Sequence, residues 1–266
     1  MIGAGASDRG IDFDVARLNE YLKGWLGGIG PTRVERTHGG MSNPTYFVTR
    51  GEWCAVLRKQ PKNVLPSAHA IDREYRVLTA LQGSSVPTPK PYRYCEDRDI
   101  VGTPFYLMEW LDGRVFNEFG TPGLAHAERA ELFRSMCAAL AAIHRLDYRA
   151  LGLGDFGRPG NYFSRQLKRW SEQWTKFRRG DDDNPALDRM VRWLAERLPE
   201  SETVALCHGD FRIANVMFHA TEPRLIGVLD WELSTLGHPM ADFSYHMMTW
   251  RLSPCAPRVS CNGRNR

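Results

Sequence analysis

The 266-residue sequence has no long apolar run, and its first residues do not resemble a signal peptide. A transmembrane helix needs about 18 or more consecutive apolar residues, and no such stretch occurs. The first residues, MIGAGASDRGIDFDVARL, lack the basic segment and the apolar core of a signal peptide. We therefore expect a cytoplasmic protein without a membrane partner.

Cysteine is sparse, and its positions are scattered along the chain. The sequence has no CxxC pair and no Cys/His cluster at the spacing of a zinc site. We interpret the cysteines as reduced thiols that act as small buried side chains. The six cysteines are Cys54, Cys95, Cys137, Cys207, Cys255 and Cys261.

Two common phosphate-binding motifs are also missing. No GxxxxGK[ST] segment occurs, which excludes a P-loop. The segment GLGDFG at Gly152 to Gly157 fits GxGxxG, but it follows a predicted helix rather than a strand and opens no clear helix. We therefore reject a Rossmann interpretation of this segment.

Positively charged residues only slightly outnumber negatively charged ones, and the formal net charge is +4. This excess is too small and too scattered to indicate a nucleic-acid partner. The run from Arg165 to Arg179 is basic and aromatic, but its tryptophan spacing favours a helix packed on the C-terminal core. We expect no nucleic-acid partner.

The first 110 residues alternate between short strands and single helices. Apolar spacing predicts helices over 11–26 and 68–82. Apolar runs bounded by Gly and Pro predict four strands, at 46–50, 52–59, 92–95 and 104–110. This order suits a small antiparallel sheet that carries one main helix.

The rest of the chain is mostly helical. We predict helices over 124–146 and 161–178, and a third that begins at Asn184-Pro185, an N-cap followed by Pro at the first helical position. The change near Asp112-Gly113 predicts an α+β architecture with an N-lobe of residues 1–113 and a C-lobe of residues 114–266. Each lobe is large enough to bury a core.

One segment of the C-lobe brings polar side chains together. Apolar runs at Val216 to His219 and Leu225 to Leu229 predict a β-hairpin. The residue before the first strand, Asn215, and the residue after the second, Asp230, then lie at the same end. Asp210 lies in the loop that leads to that end. Oxygen ligands of this kind suit Mg²⁺.

Two interpretations of this trio are open. Asp and Asn often do no more than cap turns beside a hairpin. The pattern HGDxxxxN, hairpin, Asp also matches the needs of phosphoryl transfer, which are a base near an acceptor hydroxyl and metal ligands under the phosphates. We assign Asp210 as the catalytic base and Asn215 and Asp230 as metal ligands.

The segments CHGDFRIANVMF and VLDWE resemble those of the aminoglycoside-phosphotransferase and choline-kinase-like family, which is related to the protein kinases. The resemblance covers about residues 10–250. It implies a bilobal protein-kinase-like fold, ATP and Mg²⁺ as cofactors, and a nucleotide-binding N-lobe. Asp210 and Asn215 match the catalytic loop, Asp230 matches the metal-binding Asp of the DFG segment, and Asp242 matches a later Asp that we expect to be structural.

A buried ion pair is expected in the N-lobe. Glu74 lies three residues after Ile71, on the apolar face of its helix, where a carboxylate needs a partner. The family places a lysine of the neighbouring strand there, and that lysine also holds the nucleotide phosphates. Arg58 aligns with this lysine and Lys59 follows it. Because adjacent strand residues point to opposite faces, only one can pair with Glu74, and we favour Arg58.

Two further segments resemble nucleotide-contacting parts of the family. HGGMSNPTY looks like the phosphate-covering hairpin, whose backbone amides would cradle phosphate oxygens. FYLMEWLDG resembles the interlobe hinge, whose backbone would bond the purine ring, although an apolar edge strand would give the same pattern. The expected nucleotide-binding residues are Gly40, Met41, Ser42, Asn43, Arg58, Glu74, Glu109, Trp110 and Leu111.

The wider sequence, including LPSAHAIDREYRVLTALQ and LGHPMADF, is similar to the kinase-like region that occurs alone in bacteria and fused to acyl-CoA dehydrogenases in animals. This subgroup implies a small-molecule hydroxyl acceptor, such as a hydroxyacyl-CoA or another hydroxylated metabolite, rather than an antibiotic. The sequence carries no signal for ATP over GTP or for an oligomeric state.

The end of the sequence departs from the family. Members continue with further helices after the segment that matches Ala241 to Phe243, whereas residues of about 253–266 have no apolar periodicity. We expect a disordered tail and a chain that is C-terminally truncated relative to the family. An alternative function therefore stays open, that of a non-catalytic nucleotide-binding protein or a pseudokinase.

Overall fold

The structure is a computed structural model that describes residues 10–27, 30–37, 43–62, 71–177, 184–200 and 203–251. Its N-terminal part contains a five-stranded antiparallel sheet with the strand order β1-β2-β3-β5-β4. Four of these strands lie where the apolar runs predicted them, and the first was not predicted. The strands are β1 (Thr32–Arg36), β2 (Thr45–Arg50), β3 (Trp53–Lys59), β4 (Pro91–Cys95) and β5 (Phe105–Glu109).

A helix covers each face of this sheet. Helix α1 (Val15–Leu26) begins at Asp14, whose side chain accepts a hydrogen bond from the Ala16 amide at 2.8 Å. Its buried Leu18 and Leu22 pack on one face. Helix α2 (Ile71–Ala80) packs on the other face, and a short helix, α3 (Arg98–Val101), precedes β5.

Alternation along β3 decides which side chains meet which helix. Leu57 belongs to the apolar cluster of α1, whereas Val56 belongs to the cluster of α2. Arg58 therefore lies on the α2 side and Lys59 on the α1 side. Lys59 is fully buried, and its ammonium group bonds both carboxylate oxygens of Asp12 at 3.0 Å.

The C-terminal part is built around a long buried helix and two small sheets. Helix α4 (His126–His144) packs against β7 (Ala205–Cys207), which pairs with β10 (Thr235–Gly237), and against the sheet that contains the predicted hairpin. Helix α7 (Pro239–Met248) is the last helix in the described part of the chain. The three strands of the hairpin sheet are β6 (Gly113–Arg114), β8 (Val216–His219) and β9 (Leu225–Val228).

Helices α5 (Tyr162–Phe177) and α6 (Pro185–Ala195) correct one expectation. The aromatic stripe of α5 does not join the described C-lobe core, because α5 pairs mainly with α6. The Trp174 indole donates to Asp188 at 3.0 Å, and Trp170 is 59% exposed. An apolar groove of about 1030 Å³ lies between these helices and the start of α7. Asn184 and Pro185 begin α6 as predicted.

The α+β class predicted from the sequence is confirmed. Within the described ranges, no helix is long and apolar enough to cross a membrane. The chain passes between the lobes after β5, and Gly113 already pairs with His219 of the C-lobe sheet. The lobe boundary at residue 113 stays a prediction, and the tail of residues 253–266 lies outside the described residues.

Candidate active site

The β8–β9 hairpin brings two polar residues to the same end of the C-lobe sheet. Val216 pairs with Val228, and the Leu229 amide donates to the Asn215 carbonyl at 2.8 Å. Asp230 follows directly and has a left-handed backbone, with φ of 65°. The hairpin geometry expected from the apolar runs is therefore present, with Asn215 and Asp230 at its open end.

Asp210 is held beside this end by the side chain of Asn215. The Asn215 amide nitrogen donates to the Asp210 carbonyl oxygen at 2.9 Å and to the carboxylate Oδ2 at 2.7 Å. Because the nitrogen of Asn215 faces Asp210, its amide oxygen is the atom that can serve as a ligand elsewhere. The structure thus brings Asp210, Asn215 and Asp230 into one site.

Two neighbours of Asp210 were not identified from the sequence. Arg212 donates from Nε to the Oδ2 of Asp210 at 3.2 Å. Burial and the nearby Asp210 carboxylate raise the pKa of the Tyr245 phenol to about 12. The sequence could have indicated Arg212, because it is a basic residue two positions after Asp210. No local pattern indicates Tyr245, which comes from α7.

Asp242, expected to be structural, anchors the catalytic loop. Its two carboxylate oxygens accept hydrogen bonds from the backbone amides of His208 at 2.7 Å and Gly209 at 2.8 Å. His144 of α4 adds a third contact at 3.2 Å. Asp242, His144 and Cys207 offer ligand atoms close enough together to hold a metal ion. Because the loop amides already use both oxygens of Asp242, we interpret the cluster as an anchor.

His208 links the catalytic loop to the segment that carries Asp230. Its Nε2 lies 2.8 Å from the Leu229 carbonyl oxygen, and its ring lies 4.7 Å from that of the buried Trp231. Burial lowers the pKa of His208, so the ring is neutral near pH 7. Because the Asp210 amide donates to its Nδ1 at 3.2 Å, this buried imidazole connects the segments that carry the expected base and the expected metal ligand.

Arg58 joins the two lobes at this site. Its Nη1 lies 3.1 Å from Glu74 Oε1, and its Nη2 lies 2.6 Å from Asp230 Oδ1. The structure thus places Arg58, and not Lys59, beside Glu74. The role of Arg58 towards a nucleotide stays a prediction.

Glu74 is almost completely buried on α2. Besides Arg58, its Oε1 accepts a hydrogen bond from the Trp231 amide at 3.3 Å. Burial raises the pKa of Glu74 to about 7, and this effect outweighs the lowering by the Arg58 charge. Glu74 therefore connects α2 to the segment that follows Asp230.

The expected hinge lies against both lobes. The Glu109 amide donates to the Lys90 carbonyl at 2.8 Å, and its carboxylate accepts from the Lys90 amide at 3.0 Å. Trp110 stacks on Phe47 of β2 with ring centroids 4.9 Å apart. Leu111 lies so close to Gly227 that a Cβ at that glycine would overlap its side chain.

Of the four residues whose backbone is expected to cover the phosphates, the structure describes only Asn43. Gly40, Met41 and Ser42 lie outside the described residues. Asn43 is fully buried, and its amide nitrogen donates to Glu232 Oε2 in the C-lobe at 2.9 Å. Sequence reasoning had selected the backbone of Asn43 and had missed this side-chain contact.

Comparison with known proteins identifies the family of this chain. The model of the phosphotransferase enzyme family matches residues 33–258, which is most of the chain. This chain belongs to the phosphotransferase enzyme family. The family resemblance drawn from the catalytic motifs is therefore confirmed.

Curated relatives of this family member include much longer proteins. Acyl-CoA dehydrogenase family member 10 of Mus musculus is 41% identical over 90% of this chain, and the match covers 22% of that protein. Acyl-CoA dehydrogenase family member 11 of Rattus norvegicus is 42% identical over 88% of this chain and is itself covered to 31%. The chain thus spans less than a third of the length of these two relatives.

Solved structures confirm the bilobal kinase-like fold. A putative aminoglycoside phosphotransferase of Ralstonia eutropha is 43% identical, with a TM-score of 0.81, and the match covers 91% of this chain and 71% of that one. An aminoglycoside phosphotransferase in complex with ADP and hygromycin B has a TM-score of 0.64 at 16% identity, with coverage of 88% and 77%. The second likeness shows the fold alone.

The donor atoms of the site fit a magnesium ion. Carboxylate oxygens of Asp230 and the amide oxygen of Asn215 are hard ligands from the two strands that meet at the open end of one hairpin, and Mg²⁺ binds few such groups together with phosphates. Asp230 and Asn215 are the residues that would hold it. Asp210 accepts a hydrogen bond from the Asn215 amide nitrogen and is therefore available for a different role.

Proposed function

We propose that this phosphotransferase moves the γ-phosphoryl group of a nucleoside triphosphate, with ATP as the first candidate, to a hydroxyl group of a small molecule. The observation that carries the proposal is the convergence of Asp210, Asn215 and Asp230 beside a buried Arg58. Phosphoryl transfer depends on positioning and on stabilisation of negative charge, and these side chains supply a base, metal ligands and a cation.

Asp210 acts as the base in this proposal. It accepts the proton of the acceptor hydroxyl while the hydroxyl oxygen forms a bond to the γ-phosphorus and the bond to the β-phosphate oxygen breaks. Asn215 holds the carboxylate in position, and Arg212 offers a positive charge beside it. Bound Mg²⁺ would neutralise phosphate charge between Asp230 and Asn215.

The nucleotide would lie between the lobes. We propose that the backbone of Glu109 to Leu111 bonds the purine ring and that Arg58 contacts the phosphates. Solved neighbours of the same fold include complexes with ADP and with GDP, so the purine ring is the shared feature. Backbone contacts at a hinge suit either purine.

We propose a hydroxylated metabolite as the acceptor, with a hydroxyacyl-CoA as the specific candidate. The proposal is supported by the relatives, which are described as acyl-CoA dehydrogenase family members. The apolar groove beside α7 offers surface in the same lobe that suits an acyl group.

Transfer of ³²P from [γ-³²P]ATP to a panel of acceptors tests this function. The panel contains hydroxyacyl-CoA thioesters, hydroxylated fatty acids and an aminoglycoside, each with Mg²⁺ and with chelator. We expect labelled product only with Mg²⁺, lost by about 10²–10⁴-fold in Asp210→Asn, the usual contribution of a catalytic base. Asp99→Asn, at an exposed carboxylate of α3, is the matched control. Nucleotide binding without transfer to any acceptor would favour a non-catalytic nucleotide-binding protein instead.

We also propose a cytoplasmic location. The four cysteines within the described residues are free thiols, and a reducing compartment keeps thiols in this state. Fractionation of cells that express the tagged protein tests this location. Recovery of the protein outside the cytoplasm would contradict the proposal.

A further inference from the structure

The guanidinium group of Arg58 bridges two carboxylates that come from different lobes. Its Nη1 lies 3.1 Å from Glu74 of α2, and its Nη2 lies 2.6 Å from Asp230 after β9. The Arg58 side chain is only 9% exposed, so solvent screens the pair weakly. Asp230, one of the two expected metal ligands, thus already carries a cation on one of its oxygens.

Arginine suits this bridging position better than lysine. A planar guanidinium presents separate N–H groups in a fixed fork, so it can meet two carboxylates at once, whereas an ammonium group is a single point of charge. The third donor, Nε, is buried and has no hydrogen-bond partner among the described residues. The two carboxylates therefore set the orientation of the group.

The charge of Arg58 is kept despite burial. An arginine guanidinium is not deprotonated in proteins, and the carboxylates of Glu74 at 3.1 Å and Asp230 at 2.6 Å compensate its charge in the buried site. A divalent cation at Asp230 therefore meets a permanent positive charge a few ångströms away. Nucleotide phosphates would compensate that charge, because they carry several negative charges and are ligands for both Arg58 and Mg²⁺.

We infer that Arg58 makes metal binding at Asp230 conditional on the nucleotide. The guanidinium competes with a divalent cation for Asp230, and the phosphates of a nucleotide remove this competition by drawing the guanidinium to themselves. Metal and nucleotide then enter together, and each raises the affinity for the other. This inference rests on the proposed function, because it assumes a nucleotide site between the lobes.

Binding of Mn²⁺, followed by electron paramagnetic resonance, tests the inference without any turnover. The titration is done with and without the non-hydrolysable nucleotide AMP-PNP. For the wild type we expect AMP-PNP to tighten Mn²⁺ binding by about tenfold or more, a common size for coupling between two sites. Arg58→Gln should bind Mn²⁺ without nucleotide about tenfold more tightly than the wild type. Arg58→Lys keeps a charge and should lie between them.

Two further variants make the test specific. Arg76→Gln removes a cation from the same helix as Glu74, but Arg76 pairs with the exposed Asp155 and should leave Mn²⁺ binding unchanged. Glu74→Gln should weaken Mn²⁺ binding without nucleotide, because the guanidinium is no longer shared and pairs more fully with Asp230. This variant keeps the test decisive if thermal unfolding shows that Arg58→Gln does not fold.

The outcomes separate this inference from the proposed function. Tight Mn²⁺ binding by the wild type without nucleotide, unchanged in Arg58→Gln and in Glu74→Gln, would overturn the inference and leave the proposed function standing. If the wild type bound neither AMP-PNP nor Mn²⁺ under any condition, the proposed function would fail, and the inference with it.

Discussion

The amide nitrogen of Asn43 donates to the carboxylate of Glu232 at 2.9 Å, although the two residues are 189 positions apart in the chain. Asn43 precedes β2 in the N-lobe, and Glu232 follows Asp230 in the C-lobe. The Asn43 side chain is fully buried, and its Oδ1 has no hydrogen-bond partner within the described residues. This contact joins the segment that is expected to cover the phosphates to the segment that carries an expected metal ligand.

Replacement of this hydrogen bond by a repulsion between two carboxylates should weaken nucleotide binding. Asn43→Asp places a carboxylate opposite Glu232, and the repulsion should raise the Kd for ATP by about tenfold, or about 1.4 kcal/mol. In the double variant Asn43→Asp/Glu232→Gln, the new glutamine can donate to the new aspartate, so much of the affinity should return. Calorimetry measures both Kd values. No rescue by the second substitution would mean that the contact does not position the segment.

Removal of the charge of Asp242 should loosen the catalytic loop. An asparagine keeps one acceptor but turns an N–H group towards one of the two loop amides, which leaves buried donors facing each other. The expected loss in the free energy of unfolding is about 1–3 kcal/mol, the cost of an unsatisfied buried group. Urea denaturation of Asp242→Asn measures it, and an unchanged midpoint would contradict the anchoring role.

Gly209 should not tolerate a side chain. Its φ is +86°, and an added Cβ would overlap the Leu233 carbonyl oxygen. Gly209→Ala should therefore cost at least about 1–2 kcal/mol of stability from the backbone alone and should disturb Asp210 next to it. Gly154→Ala is the matched control, because its added Cβ meets nothing within 4 Å. Equal thermal midpoints for the two variants would show that the loop can rearrange.

The pH dependence of stability should report the buried Glu74. Its pKa is raised by burial to about 7 from an ordinary value of 4.5, against the opposite pull of the Arg58 charge. Because the folded pKa lies above the unfolded one, the folded state binds the proton more tightly. The contribution of Glu74 to stability is therefore complete below about pH 4.5 and is lost as the pH rises through about 7.

Glu74→Gln isolates this contribution from that of other groups, such as His208, whose lowered pKa acts in the opposite direction. The wild type should lose up to about 3 kcal/mol relative to Glu74→Gln between pH 4.5 and 7, since one pKa unit equals about 1.4 kcal/mol. Urea denaturation at several pH values measures the difference. A difference that stays constant with pH would show that Glu74 keeps an ordinary pKa in the folded protein.

Local rules predicted much of the fold and the centre of the site. Strand alternation and helical spacing are properties of neighbouring residues, so they indicated the hairpin ends at Asn215 and Asp230 and allowed only one of Arg58 and Lys59 to pair with Glu74. The choice of Arg58 came from its alignment with the lysine of the family. Helix α7 was missed, although His238 caps it and Pro239 opens it. The strands β7 and β10 were missed because each has only three residues, too few for a periodic pattern.

Contacts between distant segments could not be predicted in the same way. The bond from Asn43 to Glu232 and the approach of Tyr245 to Asp210 depend on how whole elements pack, and no local pattern encodes them. The exposed Trp170 of α5 shows the reverse case. The spacing of the aromatic residues along α5 predicted a buried helix face, but a local pattern does not tell which element, if any, covers that face.

Calorimetric titration with ATP, with Mg²⁺ and with chelator, tests the central claim most directly. If Asp230 and Asn215 hold the metal under the phosphates, the wild type should bind ATP about tenfold or more tightly with Mg²⁺ than without it. Asp230→Asn should lose this dependence, while Asp99→Asn should keep it. Equal ATP affinity of the wild type and Asp230→Asn, with and without Mg²⁺, would contradict the account.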